Sequence, residues 1–317
     1  MIVTVTLNAA VDRTLTVPNI QLGHRHRASE VLTIAGGKGI NVARALKRLD
    51  APVVATGLAG GRTGTRLVEE LTSEGILNDL VRIAGESRTS TAVVDPTTDT
   101  FTEINEWGPE VQPAELDTLF EKLHYLSRGA DFVVFAGSLP RAVDVGFYGE
   151  AIRDLQRRGV RTVLVAEGES LRRGVEAEPY LAAPAENDAE ALVGHEFGDD
   201  EDFVLGLDAI AEKGAKNVLI THDVGCFARL REERRAQRFR VTAPPVERIS
   251  AVGAGDALLA GFLVARLDGK SFEDALRSAV ATGAASTLEL GAGRFEPREA
   301  GRLIAGVELV ALDTVVT

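Results

Sequence analysis

Short apolar runs alternate with longer helical patterns along most of the chain. Short runs rich in apolar and β-branched residues occur at 2–7, 53–58, 132–136, 161–165 and 217–221, and the run at 132–136 is apolar throughout. Helical spacing of apolar positions occurs at 41–49, 66–74, 145–157 and 257–267. Continuous apolar strands separated by helices are typical of a parallel sheet that is covered on both faces. Because crossovers between parallel strands are right-handed, the pattern predicts an α/β sandwich.

Two stretches do not follow this alternation of buried strands and helices. Residues 14–34 and 88–104 alternate polar and apolar positions, as in Thr14, Leu15, Thr16 and Val17. Such period-two alternation indicates strands with one face exposed to water or to a partner. We therefore predict a small antiparallel sheet beside the main body, which serves as a lid over a cleft, as a dimer surface, or as both.

The composition excludes several classes of protein. Among 317 residues, 35 Lys and Arg stand against 47 Asp and Glu, and a net charge of −12 disfavours a nucleic-acid partner. With one cysteine, Cys226, and five scattered histidines, neither a disulfide nor a transition-metal site is expected. No apolar run approaches the roughly 18 residues of a membrane span, and residues 1–10 do not resemble a signal peptide. We therefore expect a cytoplasmic protein without a membrane partner.

The sequence SAVGAGD, residues 250–256, is the sharpest local feature. Gly253 and Gly255 permit a tight turn before an apolar helix, which leaves the first helical amides uncovered at the positive end of the helix dipole. Asp256 then lies beside an anion site, where a carboxylate can accept a proton from an attacking hydroxyl. The alternative is an ordinary helix cap preceded by a glycine turn.

A second glycine-rich turn, GGKGIN at 36–41, also leads into a helix. Its glycines allow close approach of a ligand, and Lys38 offers a mobile charge suited to phosphate. The alternative is a tight turn with one solvated lysine. Neither this turn nor residues 57–64 fit the Walker A pattern, and the dinucleotide fingerprint GxGxxG is absent. Asp12, at the end of the first strand, and Arg27 and Arg88 are further candidates, each of which could equally be a turn cap or a solvated side chain.

Five motifs in order carry a resemblance to a known family. The segments are NAAVD near the start, GGKGIN at 36–41, TEIN at 102–105, GSLP at 137–140 and VGAGDA at 252–257. Together they resemble the PfkB, or ribokinase-like, carbohydrate kinases, most closely the bacterial 1-phosphofructokinase and tagatose-6-phosphate kinase branch. The resemblance implies a three-layer α/β/α sandwich with a mostly parallel central sheet and a small β lid, here one domain over 1–317 with lid strands from about 14–34 and 88–104.

The resemblance also implies roles for individual residues. Asp256 would be the catalytic base, and the amides of Gly253, Ala254 and Gly255 would form an anion hole. The sugar phosphate would be held by Asp12, Gly37, Lys38, Asn41, Arg88 and Ser138, with Arg27 as a less certain second cation. ATP and Mg²⁺ would be the cofactors, and the nucleotide would contact Thr221, Gly225, Ser250, Asn187 and Glu190. Fructose 1-phosphate would be the acceptor, with tagatose 6-phosphate and fructose 6-phosphate as rivals. The lid could join a homodimer.

Three segments of the nucleotide half depart from the branch pattern. Residues 183–188 read APAEND in place of Lys-Pro-Asn-x-x-Glu, and only a two-residue slip would restore the motif at Asn187 and Glu190. Residues 221–225 read THDVG, one residue short, with Asp223 replacing a glycine where its charge would repel nucleotide phosphates. Residues 165–168 read VAEG in place of a segment ending Asp-Thr-Ser-Gly. In a parallel fold, these segments would lie on successive strand ends.

Two functions therefore stay open at this point. One is a divergent kinase that holds ATP with other residues, which the intact GAGD sequence favours. The other is a sugar-phosphate-binding protein with a degenerate nucleotide site and little or no kinase activity, which the three altered segments favour.

Overall fold

The computed structural model describes residues 1–98, 100–232 and 235–312. In chain order the strands are β1 (Ile2–Thr6), β2 (Ala10–Thr16), β3 (Glu30–Gly36), β4 (Val53–Gly60), β5 (Leu77–Ile83), β6 (Arg88–Asp95), β7 (Thr100–Asn105), β8 (Phe132–Ala136), β9 (Arg161–Val165), β10 (Leu181–Ala182), β11 (Val218–His222), β12 (Gly225–Glu232), β13 (Arg235–Thr242) and β14 (Glu308–Ala311). The α-helices are α1 (Lys38–Arg48), α2 (Gly61–Ser73), α3 (Pro113–Leu126), α4 (Phe147–Arg157), α5 (Gly168–Val175), α6 (Glu186–Val193), α7 (Asp200–Glu212), α8 (Ala254–Leu267), α9 (Phe272–Ser286) and α10 (Pro297–Leu303).

The larger sheet is mostly parallel, as predicted. Its spatial order is β14-β13-β12-β11-β10-β9-β8-β1-β4-β5, and the strands from β11 to β5 are all parallel. The remaining strands, β12 to β14, add to this sheet in antiparallel register. Because parallel strands place their carboxyl ends at one edge, the loops after β1, β8, β9, β10 and β11 meet on the same side of the molecule.

Helices cover both faces of this sheet, which explains the continuous apolar runs. Along β8, Phe132 and Val134 belong to one buried cluster, which also contains side chains of α1 and α8. Val133 and Phe135 belong to the cluster on the other face, with side chains of α4 and α7. Adjacent residues of a strand point to opposite faces, so a strand between two helix layers must be apolar at every position. The predicted sandwich is therefore confirmed.

The four-stranded lid sheet has the order β3-β2-β6-β7, and here the prediction of an antiparallel sheet is wrong in part. β2 pairs in parallel with β6, because the chain passes through β4 and β5 of the main sheet before it returns to the lid. The two outer pairs, β2 with β3 and β6 with β7, are antiparallel.

The segment between β2 and β3 is a loop, although alternation over residues 14–34 predicts strand. Pro18 lacks the N–H that a ladder needs, and the carboxylate of Asp95 accepts hydrogen bonds of 2.9 Å from the amides of Asn19 and Ile20. These contacts fasten the loop to the end of β6. In the part of the chain that the structure describes, no helix is long and apolar enough to cross a membrane.

Candidate active site

The turn before α8 has the geometry that its glycines predict. Gly253 is left-handed, with φ of 80°, and a Cβ there would lie 2.5 Å from the Cβ of Ala292. Ala254, Gly255 and Asp256 form the first turn of α8. The Ala254 amide donates to the Ala251 carbonyl at 3.2 Å, so one of the three predicted anion-hole amides is partly engaged within the turn. Ser250 shapes this turn, since its Oγ accepts a hydrogen bond from the amide of Val252.

The two glycine-rich motifs meet at Asp256. Its side chain is only 8% exposed, and its Oδ2 accepts a hydrogen bond of 2.9 Å from Nδ2 of Asn41 on α1. Burial raises the pKa of Asp256, whereas the charge of Lys38 and the bond from Asn41 lower it. Lys38 begins α1 directly after Gly37, whose φ of 107° and close approach to Thr6 both require glycine. The structure therefore brings a buried carboxylate, an amide and an ammonium group together at two helix starts.

Asp12 reaches the same region from the lid. It lies on β2 opposite Ile34 of β3, and its carboxylate packs so closely on Gly36 that a Cβ there would lie 1.9 Å from Oδ2. Burial raises the pKa of Asp12 to about 6, although Arg88 and Arg44 oppose this rise. The negative charges of Glu103 and, to a smaller extent, of Asp256 raise the pKa of Asp12 further.

Arg88 and Ser138 lie on either side of Asn8, in the segment between β1 and β2. The Nε of Arg88 donates to the Asn8 carbonyl at 3.2 Å, and its Nη1 donates to Oδ1 of Asn105 at 3.0 Å. The Asn8 side chain donates to Oγ of Ser138 at 3.1 Å. In the same loop as Ser138, the guanidinium of Arg141 stacks 5.6 Å from the ring centre of Trp107, which is 78% exposed.

Arg27 is not brought to this cluster. It lies exposed in the loop between β2 and β3, and none of the contacts found among the described residues involves it. The basic run at 24–27 therefore behaves in this structure as a solvated loop, because neither strand pairing nor a counter-charge draws it towards Asp12.

A cavity of about 450 Å³ lies beside the start of α8. Its polar lining includes Thr221, Asp223, Arg248 and Thr287, and its apolar lining comes from residues such as Ala243, Pro244, Pro245, Val246, Leu258, Val280 and Ala284. Gly225 and Gly255 also line it, and a Cβ on Gly255 would be 3.5 Å from Oγ1 of Thr221. The cavity thus joins an apolar slot to the glycine turn that carries Asp256.

The three segments that depart from the branch pattern follow β9, β10 and β11, which are neighbours in the sheet, as predicted. At the second of them, residues 183–188, the structure favours the register without a gap. Asn187 is exposed, and Glu190 accepts a 2.6 Å hydrogen bond from the amide of Phe197, so neither side chain faces the cavity. Asp188 instead points inward: burial raises its pKa, the charge of Lys38 lowers it, and Glu167 raises it further. In the register without a gap, Asp188 stands at the position of the motif's glutamate.

At the third segment, Asp223 is not an unopposed charge. Its carboxylate pairs with Nη1 of Arg248 at 2.6 Å, and its carbonyl accepts from Nη2 at 2.9 Å. The predicted repulsion of nucleotide phosphates is therefore offset by a cation at the same cavity wall. Sequence reasoning missed this pairing because the two residues are far apart in the chain and belong to different loops.

Three other residues at the site, Arg44, Asn8 and Asn105, were not identified as candidates from the sequence. Arg44 lies inside α1 among apolar neighbours, and only its charge at a buried helix position could have marked it. Asn8 and Asn105 belong to the motifs NAAVD and TEIN, but their roles as partners of Arg88 depend on the pairing of β6 with β7.

Comparison with known proteins agrees with this arrangement. Residues 3–299 match the family model of the pfkB family carbohydrate kinases. A 1-phosphofructokinase from Borreliella burgdorferi is 30% identical over 289 residues, covering 91% of this chain and 92% of that protein. A tagatose-6-phosphate kinase from Staphylococcus epidermidis is 26% identical over 317 residues, covering 98% and 99%. The solved structure of phosphofructokinase-2 from Escherichia coli in complex with fructose-6-phosphate superposes with a TM-score of 0.85 at 27% identity, covering 96% of this chain and 98% of that one.

Proposed function

Because the chain belongs to the pfkB family of carbohydrate kinases, we propose that it transfers a phosphoryl group from ATP to a hexose phosphate. The proposed acceptor is fructose 1-phosphate, which would give fructose 1,6-bisphosphate, and tagatose 6-phosphate and fructose 6-phosphate are its rivals. One observation carries the proposal: buried Asp256 lies at the first turn of α8, next to Lys38 and Asn41, between the lid residues and the cavity.

In the proposed reaction, Asp256 accepts the proton of the sugar's primary hydroxyl while the hydroxyl oxygen attacks the terminal phosphorus of ATP. The bond between that phosphorus and the β–γ bridging oxygen breaks, and ADP leaves with the bond's electron pair. A base placed in this way contributes about 10²–10⁴-fold to the rate. The amides of Gly253 and Gly255, with Lys38, would stabilise the charge that spreads over the transferred group. A buried base with raised proton affinity suits this task, because it accepts a proton more readily than an exposed aspartate.

The lid residues supply the sugar half of the site. Asp12 would accept hydrogen bonds from sugar hydroxyls, and Arg88, held by Asn105 and the Asn8 carbonyl, would pair with the substrate's phosphate. Asn41 gives one of its amide hydrogens to Asp256, so in this proposal it orients the base as well as bordering the sugar. Closure of the lid would exclude water, which otherwise competes with the sugar as acceptor.

The cavity supplies the nucleotide half. Its apolar slot fits a flat purine ring, and its inner end at Thr221 and Gly255 adjoins Asp256, where the phosphates must arrive. Because the carboxylate of Asp223 is paired with Arg248, its negative charge is not an argument against a nucleotide bound in this cavity. Asn187, Glu190 and Ser250 have no place in the cavity wall, so we propose Thr221, Gly225 and Arg248 as the nucleotide contacts.

The kinases of this family use ATP, typically with a divalent metal, and we propose Mg²⁺ for this chain. Among the described residues, no group of three acidic, histidine or cysteine side chains could hold a metal ion alone. This fits Mg²⁺, which is commonly held by substrate phosphates, water and one or two carboxylates. We propose that the carboxylate of Asp188, which lies near Lys38 and Glu167, would be one such ligand. When bound, the ion would neutralise phosphate charge.

The lid also suggests how two copies would associate. β7, one edge of the lid, exposes Phe101 and Ile104, and β3 at the other edge exposes Val31. Exposed apolar edge strands are unusual in isolated monomers, and a second copy would cover them. We propose a homodimer through the lid, acting in the cytoplasm on small-molecule substrates.

The decisive experiment measures ADP release with Mg·ATP in the presence of fructose 1-phosphate, fructose 6-phosphate or tagatose 6-phosphate. Asp256→Asn is tested alongside, with circular dichroism to confirm that the variant is folded. Turnover with one sugar, reduced about 10²–10⁴-fold in Asp256→Asn, would support the kinase and identify its acceptor. Absence of turnover from folded protein that still binds a sugar phosphate would refute the proposal and favour a binding protein with a degenerate nucleotide site.

A further inference from the structure

We propose that Arg44 is a positioning residue, whose guanidinium fixes the orientation of the Asn41 amide and thereby aims an N–H at Asp256. This inference rests on the proposed role of Asp256 as the base. Arg44 lies one helical turn after Asn41 on α1, and its side chain is only 2% exposed. A buried arginine is rare unless it is fully paired, so its partners indicate what it is for.

Five hydrogen bonds hold the guanidinium in place. Glu74, just after α2, accepts from Nε at 2.6 Å and from Nη2 at 3.1 Å. The carbonyl of Ala35 accepts from Nη2 at 2.6 Å, and that of Ala292 accepts from Nη1 at 3.1 Å. Oδ1 of Asn41 accepts the remaining bond from Nη1, at 3.4 Å. The side chain of Glu74 is 31% exposed, so the buried guanidinium of Arg44 pairs with a carboxylate that is partly open to solvent.

The bond to Asn41 decides which end of its amide faces Asp256. With Oδ1 towards Arg44, Nδ2 donates to the carboxylate of Asp256 at 2.9 Å. The flipped amide would set its oxygen against the carboxylate and its NH₂ against the guanidinium, and both contacts would be repulsive. A guanidinium can only donate, so Arg44 excludes the flipped state. Glu74, Arg44, Asn41 and Asp256 thus form one chain of hydrogen bonds that ends at the base.

The same guanidinium also fixes the two segments that flank the base. Ala292 is the residue on which Gly253 packs, so its carbonyl bond supports the turn that carries the proposed anion hole. Ala35 precedes Gly36, the residue against which Asp12 rests, so its carbonyl bond fixes the end of the lid strand β3. Arg44 therefore holds the lid, the glycine turn and the Asn41 amide in one arrangement.

The principal test compares Arg44→Lys with the parent chain in kcat as a function of pH at saturating substrates. Lysine keeps the charge that faces Asp12 but cannot make the forked set of bonds. The charged groups near Asp256 are Lys38 and Asp12, and neither is changed. Without an aimed Asn41 donor, the base holds its proton more tightly, so we expect the acid limb to move up by about one pH unit. We expect kcat to fall about tenfold, with each KM changed less than about threefold.

A double-mutant comparison separates positioning from a general structural effect. If Arg44 acts through Asn41, Arg44→Lys should shift the acid limb in the parent chain but not in the Asn41→Ala background. Arg48→Lys, one turn further along α1, is the matched control and should leave the limb in place. Equal shifts in both backgrounds, or no shift in the parent, would overturn the inference.

A second measurement needs no turnover and keeps the inference separate from the proposed function. The free energy of unfolding of the parent chain and of Asp256→Asn is measured with urea from pH 4 to 8. The difference between the two proteins changes around the pH at which Asp256 ionises in the folded chain. That pH should be higher in the Arg44→Lys background than in the parent and should be unchanged by Arg48→Lys. If the parent chain proves inactive, the kinase proposal fails, and this unfolding measurement still decides whether Arg44 orients Asn41. Where Arg44→Lys does not fold, Glu74→Gln, which loosens the guanidinium from the rim, replaces it with the same expected direction.

Discussion

Replacement of Asp12 by asparagine is expected to stabilise the fold while it weakens the binding of the sugar phosphate. Burial raises the pKa of this carboxyl group from 3.8 to about 6, and Arg88 and Arg44 only partly oppose the rise. Each pH unit is worth about 1.4 kcal/mol, so a charged Asp12 costs the fold about 3 kcal/mol at neutral pH. Asparagine has nearly the same shape, fits against Gly36 and carries no charge.

The pH dependence gives the sign of this effect. The folded chain binds the Asp12 proton more tightly than the unfolded chain does, so stability linked to this group is complete below about pH 4. It is lost as the pH rises through about 6, because the carboxyl group must then be charged within the fold. Asp12→Asn should therefore equal the parent chain near pH 4 and exceed it by up to about 3 kcal/mol at pH 7 and above.

Urea unfolding of the parent and of Asp12→Asn between pH 4 and 8 measures this difference, with the exposed Asp117→Asn as the control. In the same proteins, the KM for the sugar phosphate should rise at least about tenfold in Asp12→Asn, since a charged acceptor for the hydroxyls is lost. The KM of the parent should rise as the pH falls below about 6. A stability difference that does not vary with pH, or one that favours the parent at pH 7, would refute the reasoning.

Two further predictions concern the cavity and the lid. Asp223→Asn removes the carboxylate charge beside Arg248 but keeps the bond from Nη2 to the residue 223 carbonyl, so the positive charge of Arg248 stays in place and is no longer neutralised. The KM for ATP should therefore fall about two- to fivefold at low salt, and an unchanged or increased KM in initial-rate assays would count against a nucleotide near Arg248. Phe101→Glu places a charge on the exposed edge of the lid, so sedimentation velocity should show monomer where the parent shows dimer, and equal sedimentation of the two proteins would contradict a lid interface.

The main sheet could be predicted because its sequence signal is local. Residues 132–136 are apolar at every position, and residues 161–165 end in the apolar run Val163–Val165, which indicates burial on both faces; the strands have those bounds. The lid sheet was harder to predict, because alternation indicates strands but not whether neighbouring strands run parallel or antiparallel. Whether β6 runs parallel to β2 depends on the path of the chain between them, and Pro18 with the Asp95 contacts turned a predicted strand into a loop.

In the site, too, residues with a local sequence signal could be predicted, and residues that depend on distant contacts could not. Asp256, Lys38 and Asn41 could be predicted because glycines beside them determine their backbone positions, and the structure places all three together. The register of residues 183–190 could not be determined from the sequence, because a two-residue slip leaves the local pattern intact and only packing, such as the bond from the Phe197 amide to Glu190, distinguishes the registers. Arg44 and Arg248 were not identified from the sequence, because the hydrogen-bond partners that give each its role are distant in the chain.

The position of Trp107 has an optical consequence. It is the only tryptophan of the chain, it is largely exposed, and it stacks on Arg141 in the loop that also carries Ser138. All indole fluorescence therefore comes from one place, at the junction between the end of β7 and the loop after β8. Burial of an exposed indole moves its emission to shorter wavelengths, so movement of the lid towards this loop can be followed in the unlabelled protein, on the timescale of a stopped-flow trace and without waiting for product.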